Sequence, residues 1–522
     1  MKRTAAFAFG LLALVSLAGC NFGKGPDFSI VSGSENTVIQ PIVEEFCKQK
    51  NATCIFKYEG TLDIGLALQS EAGVGEDAVW PASSVWVDMF DTRRRVKGLT
   101  SIAQTPVVLG VRKSKAEALG WIGKQVFMKD ILAAVQSGSL KFLMTSATQS
   151  NSGASAYLAM LSSALGNKPV IEPGDLGDAN VQKTVKALLS GVERSSGSSG
   201  WLADLYVDSA RRGTLYDAMW NYEAVLKETN DKLAGIQQEP LYAIYPADGV
   251  AVADSPLGFV DHGRGAEVQT FFNDLLVYLR TPDIQKRIAA TGRRIPLADV
   301  SAPPEPLWNF DPGKLVTAIR MPEPQVIREA LTLYQAALRK PSLTALCLDF
   351  SGSMSGDGVT QLKNAMRFLL TPAEASRVLV QWSPADRIVV IPFNSAPRRP
   401  MEASGDPLEQ EGLLNAVLNE QPGGGTNMYA CADLAMQQIA RMPDVANYLP
   451  AIVIMTDGRS DDNSLFFLNR WNAAKPRVPI FGITFGDADK TQLDGLAKAT
   501  SARVFDGGAD LAAAFRTVRG YN

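Results

Sequence analysis

The hydrophobic pattern after the first 26 residues alternates between short apolar runs and longer stretches with apolar residues on one helical face. Short runs bounded by turn residues are typical of buried strands, and a 3.6-residue period is typical of amphipathic helices. The pattern therefore predicts strands that alternate with helices. The predicted strands lie at 28–32, 54–58, 77–80 and 107–111, and the predicted helices at 37–49, 62–71 and 265–279.

The last third of the chain, from Leu343 onward, shows the same alternation more regularly. This order of elements is typical of a doubly wound α/β sheet with helices on both faces, although strand order cannot be derived from it. The predicted strands are 343–348, 388–393, 451–455, 478–484 and 503–505. The predicted helices are 362–370, 408–419, 429–442, 464–474, 490–499 and 511–519.

A proline-rich stretch separates the two parts of the chain. Six prolines between Ser301 and Pro324 prevent one regular element there, and a helix with a broad apolar face is predicted next, at 325–339. We expect this helix to pack between the two modules. The predicted units are therefore 27–300, a linker and helix at 301–342, and 343–522. Inside the first unit, the composition of Ser195 to Gly200 indicates a flexible loop.

The amino terminus has its own pattern. Lys2 and Arg3 precede an apolar stretch that is too short to span a bilayer and is typical of a secretory signal, and it ends Leu17-Ala18-Gly19-Cys20. These residues resemble the bacterial lipobox. The resemblance implies a signal peptide over 1–19, a lipidated (palmitate-bearing) Cys20, a tether over 20–26, and an extracytoplasmic protein anchored to a bacterial membrane, facing the periplasm or the cell surface. An ordinary signal peptide cut near the same place is the alternative.

Composition adds few constraints. At 522 residues the chain is too long for one core, and about three compact units are expected. A hydrophobic content of 46%, a charged content of 20% and a net charge of -3 without a basic block are ordinary for a globular protein, so no nucleic-acid partner is expected.

The positions of the cysteines are consistent with an exported protein. Cys47 and Cys54 lie at the end of a predicted helix and the start of the next strand, and close pairs tend to form disulfides in an oxidising compartment. Cys347 and Cys431 are expected to be two separate buried thiols. The single histidine, His262, excludes a histidine-rich zinc site.

Three short motifs in the last third carry oxygen-bearing side chains. They are Asp349-Phe350-Ser351-Gly352-Ser353, Gly424-Gly425-Thr426 and Thr456-Asp457-Gly458, and each follows or adjoins a predicted buried strand or a glycine run. The carboxyl ends of parallel strands share one edge of a sheet, so these motifs are expected to converge. Hydroxyl and carboxylate oxygens suit Mg²⁺ or Mn²⁺. For the first motif alone, a serine-rich turn with an Asx hydrogen bond is the alternative.

The three motifs together resemble the metal-ion-dependent adhesion site of the von Willebrand factor A domain family, with a match at all five liganding positions. The resemblance implies that a Mg²⁺ or Mn²⁺ ion is held by Asp349, Ser351, Ser353, Thr426 and Asp457. It also implies that both aspartates act through water, and that a protein partner supplies an acidic residue as the final ligand.

The first half resembles the two-lobed periplasmic solute-binding proteins. The resemblance rests on 32–36 between a strand and a helix, on 242–249, and on 292–296. It implies a first lobe built from 27–104 and 247–297, with the second lobe between them. Helix amino termini favour anions and polar groups, so a small polar or anionic solute is expected. The candidate ligand residues are Ser34, Asn36, Ser152 and Ser155; for each, a simple helix cap is the alternative.

These patterns favour a non-catalytic, lipid-anchored binding protein. Its carboxy-terminal domain would bind a protein partner through a metal ion, and its amino-terminal module would bind a small solute or offer a further interaction surface. The alternative is the solute-binding component of a membrane transporter. No P-loop, G-x-S-x-G, H-E-x-x-H or dinucleotide motif is present in the sequence, so we do not expect an enzyme.

Overall fold

The structure, a computed structural model, describes residues 25–296, 300–460, 464–484, 490–508 and 511–521. The strands are β1 (Asp27–Gly33), β2 (Thr53–Glu59), β3 (Ala78–Trp80), β4 (Val96–Ser101), β5 (Thr105–Arg112), β6 (Phe142–Thr145), β7 (Val192–Ser196), β8 (Ala218–Tyr222), β9 (Leu241–Ile244), β10 (Val252–Ala253), β11 (Pro256–Val260), β12 (Ser342–Asp349), β13 (Arg387–Phe393), β14 (Met401–Ser404), β15 (Leu449–Thr456), β16 (Ile480–Thr484) and β17 (Val504–Asp506).

The helices are α1 (Gln40–Gln49), α2 (Thr61–Gln69), α3 (Ser84–Phe90), α4 (Lys113–Ala118), α5 (Met128–Gln136), α6 (Asn151–Ala164), α7 (Ala179–Leu189), α8 (Ser199–Arg211), α9 (Glu223–Gly235), α10 (Ala266–Leu279), α11 (Pro282–Ala290), α12 (Pro324–Leu333), α13 (Asp357–Leu370), α14 (Pro372–Arg377), α15 (Pro407–Asn419), α16 (Met428–Arg441), α17 (Ser464–Ala473), α18 (Lys490–Ala499) and α19 (Leu511–Arg519). A 3-10 turn, Ser34–Ile39, precedes α1, and a π-helical turn, Tyr334–Leu338, continues α12.

The first lobe is a five-stranded sheet in the order β2-β1-β3-β11-β4. β1 runs parallel to β2 and β3, whereas β11 runs antiparallel to β3 and β4. β11 reaches this sheet only after the chain has passed through the second lobe. The expected exchange of chain between two lobes is therefore present.

The second lobe has a sheet in the order β10-β5-β8-β6-β7, in which β9 also pairs with β5. The proline-rich segment and α12 pack onto this lobe, because Trp308, Phe310, Ile327 and Leu331 are buried within the same hydrophobic cluster as its strands. The Tyr157 hydroxyl donates a 2.8 Å hydrogen bond to the Ala330 carbonyl. The segment at 301–342 is thus largely a part of the second lobe and not a free linker.

The carboxy-terminal domain has a six-stranded sheet in the order β14-β13-β12-β15-β16-β17. Every neighbouring pair is parallel except β13 with β14, and β14 was not predicted from the sequence. One apolar cluster on this sheet includes Leu362 and Phe515, and another includes Ile439 and Trp471, so helices cover both faces. The predicted α/β class with a doubly wound carboxy-terminal domain is confirmed.

Helix α19 fastens the carboxy-terminal domain to both lobes. Its Arg516 forms an ion pair with Asp63 of the first lobe, and the Gln149 side chain of the second lobe donates to the Arg516 carbonyl. The Ser195 hydroxyl of the second lobe donates to the Gly520 carbonyl over 2.8 Å. The three units therefore share one junction.

The serine-glycine segment Ser195 to Gly200 belongs to this junction, and the expectation of a flexible loop is wrong. Ser195 and Ser198 are buried, and the Ser198 hydroxyl lies 2.8 Å from the Ser34 hydroxyl of the first lobe. The packing leaves little room, because a β-carbon added at Gly200 would lie 3.1 Å from the Ser34 hydroxyl, closer than an ordinary van der Waals contact. The composition reflects close packing between units.

Candidate functional site

The edge of the carboxy-terminal sheet brings the three oxygen-rich motifs together. β13, β12 and β15 are parallel neighbours, and Leu348 of β12 pairs with Met455 of β15. Asp349 is the last residue of β12, and Asp457 directly follows the end of β15. The register therefore places both aspartates at the same end of adjacent strands.

The serine hydroxyls of the first motif lie beside the second aspartate. The hydroxyl oxygens of Ser351 and Ser353 are 3.0 Å apart, and the Ser353 hydroxyl donates to Asp457 Oδ1 over 2.9 Å. A β-carbon added at Gly458 would lie 3.7 Å from Ser353 Oγ and 3.9 Å from Thr426 Oγ1, so both hydroxyls face the same glycine. The five predicted ligand residues thus form one cluster.

Asp349 is buried and held in place by two donors. The Ser351 backbone N–H donates to Oδ1 over 2.8 Å, and the Thr456 hydroxyl donates to Oδ2 over 2.6 Å. Burial raises the pKa of Asp349 above its usual value, and these hydrogen bonds offset only part of that effect. A nearby cation would favour the charged carboxylate. Thr456 therefore positions Asp349. The sequence signal for this role is a hydroxyl residue at the end of a buried strand, directly before Asp457.

The glycine-rich loop closes over the first motif through backbone contacts. The Gly352 N–H donates to the Gly424 carbonyl, and the Gly423 N–H donates to the Phe350 carbonyl, each over 2.9 Å. Gly424 has φ = 85°, a conformation that favours glycine. The motifs at 350–352 and 423–424 are therefore joined directly.

Asn394 and Ser395, which follow β13, support this loop and were not singled out from the sequence. The Asn394 amide donates to the Gly423 carbonyl, and the Ser395 hydroxyl accepts from the Gly425 N–H, each over 2.7 Å. Their position directly after a buried central strand was the available signal.

The donor set fits a hard divalent cation. Three neutral hydroxyls and two carboxylates converge, and Mg²⁺ binds oxygen ligands while it keeps several positions for water or an outside group. Among the residues that the structure describes, no three or more His, Cys, Asp or Glu side chains lie together in a metal-binding arrangement. A metal site here therefore depends on the serine and threonine hydroxyls as well as on the carboxylates.

The predicted solute residues are separated in the structure. Ser34 meets the second lobe at Ser198, and its hydroxyl also accepts from the Gly200 N–H over 3.0 Å. Ser152 and Ser155 are buried inside the second lobe, where Ser152 Oγ lies 2.8 Å from the hydroxyl of a neighbouring threonine. Asn36 donates to the Trp80 carbonyl of its own lobe over 3.3 Å. The four residues do not form one pocket.

The cleft between the lobes is closed by the protein's own polar groups. Ser199 of the second lobe donates to Glu35 Oε2 over 3.1 Å, and Arg293 of the first lobe donates to Glu228 Oε1 of the second lobe over 3.0 Å. Burial raises the pKa of Glu35 to about 7, which favours a protonated carboxyl at neutral or lower pH. The cavity that remains beside Glu35, Asn36 and Tyr222 has a volume of about 10 Å³, room for one water at most.

Asn151, the first residue of the helix that carries Ser152 and Ser155, also joins the lobes. Its side-chain oxygen accepts from the indole N–H of Trp86 over 2.7 Å, and its amide donates to the Tyr222 hydroxyl over 3.0 Å. Trp86 belongs to α3 of the first lobe, whereas the other two residues belong to the second.

Among the residues that the structure describes, two disulfides are formed. Cys47 and Cys54, the pair expected from the sequence, are bonded. Cys347 and Cys431 are also bonded, so the expectation of two separate thiols is wrong. The physical reason is that α16 packs on β12 and brings the two cysteines, 84 residues apart, to a Cα separation of 6.0 Å.

Cys20, the predicted lipidation residue, lies outside the described residues, as does the predicted signal peptide. In the part of the chain that the structure describes, no helix combines the length and the apolar character needed to cross a bilayer.

Comparison with known proteins agrees with the sheet and the motifs of the carboxy-terminal domain. Residues 345–513 match the family model described as von Willebrand factor type A domain. A search of curated proteins found no match.

Solved structures resemble each half of the chain. A von Willebrand factor type A structure from Catenulispora acidiphila is 17% identical, with a TM-score of 0.30, and the match covers 35% of this chain and 43% of that one. The periplasmic binding protein AfuA from Actinobacillus pleuropneumoniae is 14% identical, with a TM-score of 0.40 and coverage of 58% and 93%. The periplasmic molybdate-binding protein of Azotobacter vinelandii is 13% identical, with a TM-score of 0.36 and coverage of 52% and 100%.

The two-lobed module is thus followed by a doubly wound sheet with the five oxygen-bearing residues at its carboxyl edge, and residues 345–513 of this chain are a von Willebrand factor type A domain.

Proposed function

We propose that the protein is an extracytoplasmic, membrane-anchored binding protein whose von Willebrand factor type A domain captures a protein partner in a metal-dependent way. The observation that carries this proposal is the convergence of the Ser351, Ser353 and Thr426 hydroxyls with Asp349 and Asp457 at one sheet edge. Bound there, Mg²⁺ or Mn²⁺ would supply an electrophilic centre for an outside oxygen ligand.

The chain's own groups explain why that outside ligand would be charged. Asp349 is engaged by Ser351 N and the Thr456 hydroxyl, and Asp457 accepts from Ser353. If both carboxylates contact the ion through water, the direct ligands from the chain are neutral hydroxyls. A carboxylate from an Asp or Glu of the partner would then complement the positive charge better than a water would.

The first prediction is that Mg²⁺ stabilises the carboxy-terminal domain. A ligand at 100 times its dissociation constant adds about 2.7 kcal/mol to the free energy of unfolding, which corresponds to a rise of roughly 5–10 °C in melting temperature for a domain of this size. Asp349→Ala should remove most of this rise, because it removes the buried carboxylate of the cluster. The measurement is thermal unfolding of the chain in EDTA and in millimolar Mg²⁺.

Glu411→Ala is a matched control for this experiment. Glu411 is an exposed carboxylate on α15 of the same domain, outside the metal cluster. The control should keep the full Mg²⁺-dependent rise. An equal rise in Asp349→Ala and in the control, or no rise in the unaltered chain, would refute the metal site.

The proposed location rests on the leader and on the disulfides. The signal-like residues 1–19 and the Leu17-Ala18-Gly19-Cys20 sequence support export and lipidation. The Cys47–Cys54 and Cys347–Cys431 bonds support an oxidising compartment, since cytosolic thiols are normally kept reduced.

The second prediction is that Cys20→Ser releases the protein from the membrane. Each buried acyl methylene contributes about 0.8 kcal/mol, so two or three chains would hold the unaltered protein on the bilayer. We expect the variant to appear in the soluble fraction or to remain as an uncut precursor. The measurement is membrane fractionation with mass spectrometry of the amino terminus, and an unmodified mature amino terminus in the unaltered protein would contradict the proposal.

For the two-lobed module we propose a non-catalytic role, with solute binding as a secondary activity that requires opening. The closed contacts of Ser34 with Ser198 and of Glu35 with Ser199 leave a cavity of only about 10 Å³. A small polar or anionic solute would have to separate these groups. This makes a scaffold for partner binding a better proposal than the solute-binding component of a transporter.

A further inference from the structure

A second cavity lies outside the metal cluster and the cleft, in the seam between the second lobe and the von Willebrand factor type A domain. It has a volume of about 510 Å³, within the usual size of small-molecule pockets. One wall comes from β7, α8 and the segment after α8. The other comes from the end of α17 and the segment that follows it, and from the end of α18 and the residues directly after it. Its charged lining residues are Arg194, Arg212, Lys475 and Arg477.

The charge of this lining is one-sided. Arg194 and Arg212 stand on one wall, Lys475 and Arg477 stand on the other, and no carboxylate is among the lining residues. Within the described ranges, none of the four cations forms an ion pair with an Asp or Glu side chain. The chain as a whole has a net charge of -3, so this concentration of positive charge is a local feature.

The two arginines are held at the seam by neutral acceptors. Arg194 donates to the Ser501 carbonyl over 3.1 Å, and Arg212 donates to the Lys498 carbonyl over 2.9 Å. These bonds cross from the second lobe to the neighbouring domain and fix the walls relative to one another. They use only some of the donors of each guanidinium, and Arg194 Nε is buried without an acceptor among the described residues.

The physical consequence is an unbalanced potential. Arg194 is half-buried, whereas Arg212, Lys475 and Arg477 are exposed at the rim of the groove. Like charges gathered around one concave surface repel one another and attract anions. A bound anion would relieve this repulsion and use the remaining donors. Guanidinium groups match phosphate oxygens in geometry, and lysine binds phosphate as a point charge.

We propose that this groove binds a phosphate-bearing polyanion that bridges the two domains, with Arg194 and Arg212 on one side and Lys475 and Arg477 on the other. The phosphates would belong either to a soluble polyphosphorylated molecule or to the headgroup of an anionic lipid. The site is independent of the metal cluster and of the cleft between the lobes.

The test uses the full chain carrying Cys20→Ser, so that no lipid anchor contributes, with tripolyphosphate as the probe. Titration is carried out at low ionic strength in EDTA, so that metal-bound phosphate cannot contribute, and is followed by calorimetry and melting temperature. We expect saturable binding that raises the melting temperature. Lys475→Gln/Arg477→Gln should weaken the affinity about tenfold or more, because it removes two charge-assisted contacts.

Lys183→Gln/Lys186→Gln is the matched control. It removes two exposed positive charges from α7 of the same lobe, outside the groove. The control should bind tripolyphosphate like the parent chain, and Arg212→Gln on the opposite wall should weaken the affinity as Lys475→Gln/Arg477→Gln does. Melting without ligand checks that all variants fold. Equal affinities in the groove and control variants, or no binding by the parent chain to either phosphate probe, would overturn the proposal.

Vesicles distinguish the two sources of phosphate. The same chain is mixed with vesicles of phosphatidylcholine alone or with phosphatidylglycerol added. Binding to the anionic vesicles that is lost in Lys475→Gln/Arg477→Gln supports a lipid headgroup. Binding of tripolyphosphate without vesicle binding supports a soluble ligand, and equal binding to both kinds of vesicle by all variants would count against the groove.

Discussion

Asp386→Ala is expected to lower the free energy of unfolding of the carboxy-terminal domain by about 3–5 kcal/mol, the cost of leaving a buried charge without its partner. Asp386 is fully buried at the base of β13, where it accepts from the Ser342 N–H and from the Ser383 N–H, each over 2.7 Å. It also pairs with Arg339 and lies 3.6 Å from Arg519. The melting temperature should fall by roughly 10 °C.

The effect is large because Asp386 neutralises two arginines from different parts of the chain. Arg339 comes from the segment that follows α12, and Arg519 is the last residue of α19. Burial, followed by the like charge of Arg339, lowers the pKa of Arg519 to about 9. Without Asp386, both guanidinium groups would remain buried and repel each other. The end of α19, which packs against both lobes, would then no longer be held by the ion pair of Arg519 with Asp386.

Asp208→Ala is the matched control, because it also removes an aspartate that pairs with an arginine. The Asp208–Arg211 pair is exposed, and exposed pairs contribute little. Acid provides a second check. Burial tends to raise the pKa of Asp386, but Arg339 and Arg519 hold this pKa below its usual value. The stability that Asp386 contributes is therefore present above the pKa of the unfolded state, and it is lost as the pH falls through the lower pKa of the folded state. Equal melting of both variants would contradict this account.

Thr426→Ala is expected to abolish partner capture. EDTA should abolish capture by the unaltered protein in the same way. Adding Mg²⁺ or Mn²⁺ should then restore capture by the unaltered protein but not by the variant. Contacts at the centre of an interface contribute about 2 kcal/mol or more, which is a loss of roughly thirtyfold or greater. Thr426 supplies a hydroxyl that faces Gly458 beside the Ser353 hydroxyl, and alanine has no oxygen to replace it. The measurement is capture of envelope proteins on the immobilised chain.

Thr332→Ala is the matched control for partner capture. Thr332 is exposed on α12, where its hydroxyl donates to the Arg328 carbonyl over 2.9 Å, far in the chain from the three motifs. The control should capture the same proteins in the same amounts. Capture that persists unchanged in EDTA would place the interface elsewhere and leave the metal cluster with a structural role.

Much of the fold could be predicted because its signals are local. The predicted strand 343–348 is found at Ser342–Asp349, and the predicted helix 408–419 is found at Pro407–Asn419. The strand is buried at all eight positions and is visible as a continuous apolar run, whereas the helix is visible from apolar residues that recur on one face. The edge strand β14 was not predicted because it is only four residues long and has one exposed side.

The candidate metal residues could also be selected in advance. Asp349 and Asp457 each stand at or just past the end of a buried run, and parallel strands bring their carboxyl ends to one edge whatever their order. Asn394 and Ser395 were missed because their role consists of hydrogen bonds to a loop about 30 residues further along the chain.

The sequence by itself determined the α/β class, the position of the metal-type motifs and the Cys47–Cys54 pair, because each depends on residues close in the chain or on a rule that holds for every parallel sheet. The tertiary structure alone decided the Cys347–Cys431 bond, the closure of Ser34 on Ser198, and the cationic groove between the domains. Those features depend on which faces of distant elements pack together. The packing of distant elements depends on the free energy of the whole fold, so no single segment shows a periodic pattern that predicts it.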